Sequence, residues 1–182
     1  MTADKIRIGI VGCGAVTRRH HVPVILKNPF LEIGAVYDIA PGVAEDLCKR
    51  SNLSCSVARD LDELLDDGSL DLVNICTPGP LHFDQACRAL EKGRNVLLEK
   101  PPLYTLKEWQ EVVDLADRSG KKVGVIFNNR YRNVMQELKA CLESGRIGKP
   151  VKILRDGAHI RLIDLPKTAP DPLCTVIDLK LA

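Results

Sequence analysis

Residues 6–21 read IRIGIVGCGAVTRRHH. Two glycines spaced by one residue, Gly12 and Gly14, follow a short apolar run and open a helix-like stretch. That arrangement can bring backbone N–H groups and a helix N-terminus up to a phosphate. Gly12 would allow the tight turn, and Gly14 would let the backbone approach a pyrophosphate. Thr17 stands where the G-x-G-x-x-G fingerprint has its third glycine; a slightly wider helix–strand packing is tolerable there, and the phosphate contact does not depend on it. Asp38 ends the second apolar run, the place for an acid that hydrogen-bonds the adenosine ribose hydroxyls. Gly12, Cys13, Gly14, Ala15, Val16 and Asp38 are the candidate cofactor-binding residues of this region. The other reading is a plain strand-to-helix turn and an Asp that caps the next helix. Strand, glycines, helix and terminal acid together favour nucleotide binding. A carboxylate at 38 would repel a 2′-phosphate, and the next residue is Ile39, so NAD is preferred over NADP. Arg18 and Arg19 are the side chains that could reach a 2′-phosphate.

The elements that must position these residues follow from period and punctuation. Ile6–Val11 is apolar and mostly β-branched, as a buried parallel strand should be. Residues 14–28 read as a helix bent or restarted by Pro23. Leu31–Tyr37 is a second strand, 41–50 a short helix with Pro41 in its first turn, and 54–57 a weak strand. Asp60 caps a helix with Glu63 three residues on, as in a capping box. Residues 71–76 (DLVNIC) are a strand, 80–92 a helix closed by Gly93, and Asn95–Leu98 a strand. Thr105 and Glu108 form a second capping box; Trp109, Val112, Val113 and Ala116 then fall on one helix face, ended by Gly120. Residues 123–127 form a strand. Val134, Leu138, Cys141 and Leu142 mark another helix face, followed by Gly145 and a strand over 151–154. Alternating strands and helices of this length predict an α/β fold: a doubly wound parallel sheet, Rossmann-like, with a ligand at the strands' carboxyl ends. The expected organisation is a dinucleotide-binding domain over 1–127, the start of a second domain over 128–156, and an irregular tail over 157–182 containing three prolines. His159 has no partner and reads as loop or surface.

Composition narrows the function classes. Hydrophobic residues make up 45% of the 182, charged residues 27%, and the net charge is +2, ordinary values for a globular protein. No basic stripe interleaved with aromatics suggests nucleic acid, no apolar run suggests a membrane span, and the N-terminus shows no signal-peptide pattern. The seven cysteines include no C-x-x-C pair and are odd in number, so neither a metal cage nor a disulfide framework is expected. Most read as small buried apolar residues, and a reducing cytoplasm is the simplest setting. Self-association is left open.

VGCGAVTRRHH, the TPGPLH at 77–82, the EKP at 99–101 and the later NNRY and SGRIGKP resemble the glucose–fructose oxidoreductase and inositol dehydrogenase family (Gfo/Idh/MocA) over about residues 6–154. The resemblance implies hydride transfer between NAD or NADP and a sugar, cyclitol or related polyol. It matches Thr77 and Pro78 to the loop that lies against the cofactor ribose, and His82 to the helix histidine that follows. Glu99 and Lys100 match the pair whose lysine reaches the nicotinamide and the reacting hydroxyl, which makes Lys100 the candidate catalytic residue. Pro101 matches a proline often preceded by a cis bond, and Arg130, in NNRY, joins the cofactor-binding set. A lysine rooted at a strand's end can polarise a carbonyl or favour an alkoxide.

Taken alone, the same residues have plainer readings. His82 reads as a structural residue at a helix start, Glu99–Lys100 as an exposed charge pair, Arg130 as a helix-start residue, and one at least of His20 and His21 as solvated. The chain also departs from the family. No D-x-x-x-H appears after the strand at 151, and the tail does not look like the family's second domain, which forms the other wall of the substrate cleft. Two hypotheses follow: an oxidoreductase of this family, incomplete in this chain, or a nucleotide-binding module without turnover.

Overall fold

A computed structural model describes residues 5–146 and the backbone of 152–156 and 159–163. The chain divides into two compact units, Met1–Phe127 and Asn128–Ala182. The first carries six strands: β1 (Ile6–Val11), β2 (Leu31–Tyr37), β3 (Ser56–Val57), β4 (Leu72–Ile75), β5 (Asn95–Leu98) and β6 (Val123–Val125). They form one sheet in the order β3-β2-β1-β4-β5-β6, every adjacent pair parallel. That order is two βαβαβ halves meeting between β1 and β4, where a doubly wound sheet opens its ligand crevice.

Two apolar clusters explain why the strands are nearly continuous runs of branched residues. Val11, Val73, Ile75, Val96 and Leu98 belong to one, with Leu64, Leu65, Ala86, Leu90 and Val112. Ile8, Ile10 and Val36 belong to the other, with Val22, Ile25 and Leu47. Alternate residues of β1 therefore enter different clusters, as a sheet covered on both faces requires. The helices are α1 (Val22–Lys27), α2 (Val43–Ser51), α3 (Leu61–Asp66), α4 (His82–Glu91) and α5 (Leu106–Ser119).

Several boundaries and contacts differ from the sequence reading. Before α1 the chain makes a π-turn over Thr17–His21, and Val22 donates its N–H to the Thr17 carbonyl. This wide turn spaces the buried residues Thr17 and Val22 by five, and Pro23 falls in the first turn of α1, where its missing N–H costs nothing. The 41–50 helix begins later, at Val43, because Gly42 takes a left-handed φ of 78° ahead of it. Asp60 caps α3 as expected, accepting the Glu63 N–H. Glu63 does not reach back to the cap. Its carboxylate takes the N–H and Nε of Arg59 instead, because that side chain offers a cation one residue earlier. At Thr105 the capping box is complete, and Gly120 closes α5 in the left-handed region. Val112 and Ala116 of the expected α5 face are buried, whereas Val113 is exposed.

The second unit contains a 3₁₀ turn at Asn128–Tyr131, α6 (Asn133–Glu143) and a two-stranded antiparallel ladder of β7 (Lys152–Asp156) and β8 (His159–Ile163). β8 lies inside the stretch expected to be an irregular tail, and His159, expected in a loop, opens it opposite Asp156. The alternation of β8, HIRLI, is only five residues long and is followed by prolines, which masked it. The rest of the expected tail lies outside the described residues. No helix among the described residues is long and apolar enough to cross a membrane.

Candidate functional site

The glycine turn lies at the crevice between β1 and β4. Gly12 has a φ of 92°, a region open to glycine and closed to most L residues. A Cβ there would stand 2.9 Å from the carbonyl carbon of Cys76 and from the Thr77 nitrogen. Its N–H donates to the Tyr37 carbonyl at 2.8 Å, and Cys76 N–H donates to Val11 O at 2.7 Å. The ends of β1, β2 and β4 are thus locked together. Thr17 is fully buried, and its hydroxyl donates to the Gly12 carbonyl at 2.5 Å. In place of the third glycine the chain has a hydroxyl that satisfies the turn it replaces.

Gly14 is different. Nothing lies within 4 Å of the position its Cβ would occupy. It faces a cavity of about 310 Å³ walled by Gly12, Gly14, Asp38, Ile39, Thr77, Pro78 and the α4 face of Leu81, Asp84, Gln85 and Arg88. The first helical bond after the turn runs from Arg18 N–H to Gly14 O at 3.1 Å. The N–H groups ahead of it therefore have no intrahelical acceptor, which leaves them available to an anion.

Asp38 follows β2 and reaches back over the turn. Its Oδ2 accepts the Cys13 N–H at 2.7 Å, and its Oδ1 accepts the Ala40 N–H at 2.9 Å. Asp38 does not cap α2, whose N-cap is Gly42 without a side-chain hydrogen bond; it orders its own loop, and its carboxylate stands on the cavity wall with further lone pairs to accept from hydroxyls. Arg18 lies 3.9 Å from the Asp46 carboxylate.

The side chains of Cys13, Ala15 and Val16 do not line the cavity; Ala15 and Val16 are exposed and keep main-chain N–H groups without an intrahelical acceptor, whereas Cys13 offers none. The Cys13 N–H is already taken, its side chain is fully buried, and burial together with the nearby Asp38 carboxylate pushes its thiol up to about 12. Burial likewise pushes Cys76 up to about 12. Neither thiol ionises near neutrality, so both behave as small apolar residues. Among the described residues no group of three or more His, Cys, Asp or Glu could hold a metal ion.

Thr77 donates its hydroxyl to Gln85 Oε1 at 2.6 Å, fixing the loop after β4. His82 lies behind that loop, buried, not on the cavity. Its Nε2 is 2.8 Å from Thr77 O, and its Nδ1 is 3.1 Å from Pro101 O and 3.2 Å from Pro102 O. It sits between the loop after β4 and the loop after β5, and its one ring N–H has only backbone carbonyls beside it to accept. The Lys100–Pro101 bond is cis, as the resemblance implied. Lys100 itself is exposed. Glu99 is not an exposed partner for it: Glu99 Oε1 lies 2.8 Å from Nε2 of His21, and only Oε2 turns to the Lys100 main chain. Arg130 belongs to the second unit, exposed in the 3₁₀ turn, where its carbonyl accepts from Gln136.

Two groups of residues escaped the sequence reading. The α4 wall was legible as Leu81, Asp84, Gln85 and Arg88, spaced along one helix face. Of His20 and His21, one at least of which was expected in solvent, His20 is exposed, while the His21 side chain is 10% exposed and its partners went unread. The signal for it was Asn74, a polar residue within the buried strand LVNI, which must find a partner.

The model of the oxidoreductase family with an NAD-binding Rossmann fold (Gfo/Idh/MocA) matches residues 6–127. D-glucoside 3-dehydrogenase of Escherichia coli is 30% identical over 82% of the chain, which spans 42% of that relative. Inositol 2-dehydrogenase of Salmonella paratyphi B is 28% identical over 89% of the chain and 48% of its own length. The WlbA dehydrogenase of Chromobacterium violaceum, solved with NADH and UDP-GlcNAcA, superposes with a TM-score of 0.74 at 30% identity, over 81% of this chain and 42% of that one. The chain thus spans less than half the length of the relatives it matches.

Proposed function

Because the chain belongs to the Gfo/Idh/MocA oxidoreductase family with its NAD-binding Rossmann fold, we propose that it is the cofactor-holding half of an NAD-dependent oxidoreductase acting on the hydroxyl of a sugar, cyclitol or related polyol. The observation that carries this is the cavity at the switch point. One wall is a glycine whose missing side chain the protein itself does not need, and the other is a carboxylate at the end of β2.

Each residue has a part. Gly14 and the free N–H groups after it hold the pyrophosphate. Asp38 accepts from the ribose hydroxyls and disfavours a 2′-phosphate. Ile39 beside it offers no cation, and Arg18 faces Asp46, so NAD is favoured over NADP. Thr77 and Pro78 support the second ribose. Hydride exchange with the substrate carbon is the chemistry that a bound nicotinamide supplies. Lys100 polarises the reacting oxygen.

The described residues supply no second wall, and no D-x-x-x-H follows β7. Orientation accounts for roughly 7–11 kcal/mol of such a barrier, and a positioned proton acceptor for about 10²–10⁴-fold in rate. The 182 residues therefore bind cofactor and turn over polyols very slowly. The missing D-x-x-x-H favours a second reading, a nucleotide-binding module without turnover. NADH production across a sugar and polyol panel decides between them, using the chain fused to a second domain from a relative, with Lys100→Met as control. Turnover that depends on Lys100 supports the enzyme reading, no turnover supports the module, and turnover that survives Lys100→Met removes Lys100 from the site.

A further inference from the structure

Three elements converge on Glu99. Asn74, buried in β4, brings Nδ2 to 2.9 Å from Nδ1 of His21 at the end of the π-turn. Nε2 of His21 lies 2.8 Å from Glu99 Oε1, and Glu99 Oε2 accepts the Lys100 main-chain N–H at 2.9 Å. The side chains of His21 and Glu99 are 10% and 13% exposed. An ionised carboxylate can only accept, so the ring carries its proton on Nε2 and accepts from the Asn74 amide at Nδ1. Asn74 Oδ1 is then left over, and it is indeed buried without a partner. On the far side of Lys100, the carbonyl of Pro101 meets His82. Lys100 thus extends from a main chain whose own N–H is held by the Glu99 carboxylate, which His21 contacts, and whose next carbonyl lies beside His82.

Burying an amide, an imidazole and a carboxylate together is a poor route to stability, since desolvation offsets the attraction and one polar atom stays unsatisfied. Such a network is justified where a backbone must be held rigid. We propose that His21, fixed by Asn74, is a positioning residue that clamps Glu99 and, through it, the main chain from which Lys100 reaches the nicotinamide. This rests on the role proposed for Lys100 above.

The test compares NADH with ADP-ribose, the same dinucleotide scaffold without the nicotinamide ring, by calorimetry. His21→Leu should weaken NADH about tenfold, the worth of one charged contact from Lys100 that is no longer aimed at the nicotinamide, and leave ADP-ribose unchanged. His21→Gln, whose amide can still donate to Glu99, should restore most of it. Equal loss for both ligands would show a merely structural histidine and overturn the proposal, as would no loss for either. If His21→Leu does not fold, Glu99→Gln carries the same comparison, because its amide can accept at one oxygen only. Imidazole ¹⁵N NMR of the unaltered chain gives an independent reading: the Nε2–H tautomer at His21 is expected, and the Nδ1–H tautomer contradicts the network. A parent chain that binds neither ligand contradicts the cofactor reading itself, whereas normal binding with an unaffected His21→Leu contradicts this inference alone.

Discussion

Gly12 and Gly14 lack side chains for different reasons, and the difference can be measured. At Gly12 the neighbours are main-chain atoms 2.9 Å from a would-be Cβ, and φ is 92°. Gly12→Ala must shift a strand end, at about 1–3 kcal/mol, and should lower the urea midpoint. At Gly14 the space is open toward the cavity. Gly14→Val should keep the parent's unfolding free energy to within about 0.5 kcal/mol and lose NADH binding. A folded Gly14→Val variant with unchanged affinity would remove the turn from the site. Both glycines were read in the sequence with separate duties, a tight turn at Gly12 and a backbone approach at Gly14; what only the fold shows is that the main chain after β4 crosses the first while open space meets the second. Asp38 was legible for the same reason as the glycines: the end of a second strand is one place in this topology. His21 was not, because a histidine in an exposed-looking RRHH run gives no sign that the helix widens by one residue per turn there.

At the scale of elements, the strands were readable because residues buried on both faces leave unbroken runs of Ile, Val and Leu. Helix starts were readable where a cap has one geometry open to it. Thr105 and Glu108 close a full capping box, whereas Arg59 diverted Glu63 from its half of the other, a competition that spacing alone does not rank. Hydrogen bonds from the Tyr104 and Thr105 N–H groups hold the Glu108 carboxyl below its ordinary range. A lowered folded value means stability that is present above the unfolded value, about 4.3, and lost as pH falls through the folded one. The parent should therefore lose more stability than Glu108→Gln on going from about pH 7 to about pH 3. Parallel urea midpoints for the two chains over that range would show that the box contributes nothing. The apolar face expected on α6 has the right period, yet Val134, Leu138 and Leu142 are exposed; periodicity reports which residues seek cover and is silent on what covers them.

For the whole molecule, the sheet order places the ends of β1, β2 and β4 around one crevice, so turn, acid and loop become a single wall although they are far apart in the chain. Family membership shows an NAD-binding Rossmann fold over residues 6–127, and this wall is where we propose the cofactor sits. The preference proposed for NAD is argued from this chain's own residues: Asp38 on the wall, Ile39 after it, Arg18 3.9 Å from Asp46, and the wall cation Arg88 paired with Asp62 and Asp84. Calorimetric titration of the purified chain with NADH and NADPH tests that choice and the cavity together. The account predicts saturable binding of NADH that is at least about tenfold tighter than NADPH, the cost of one repelled charge at short range, with the preference narrowing in Asp38→Ser. Binding of neither ligand, or NADPH binding as tight as NADH, would contradict it.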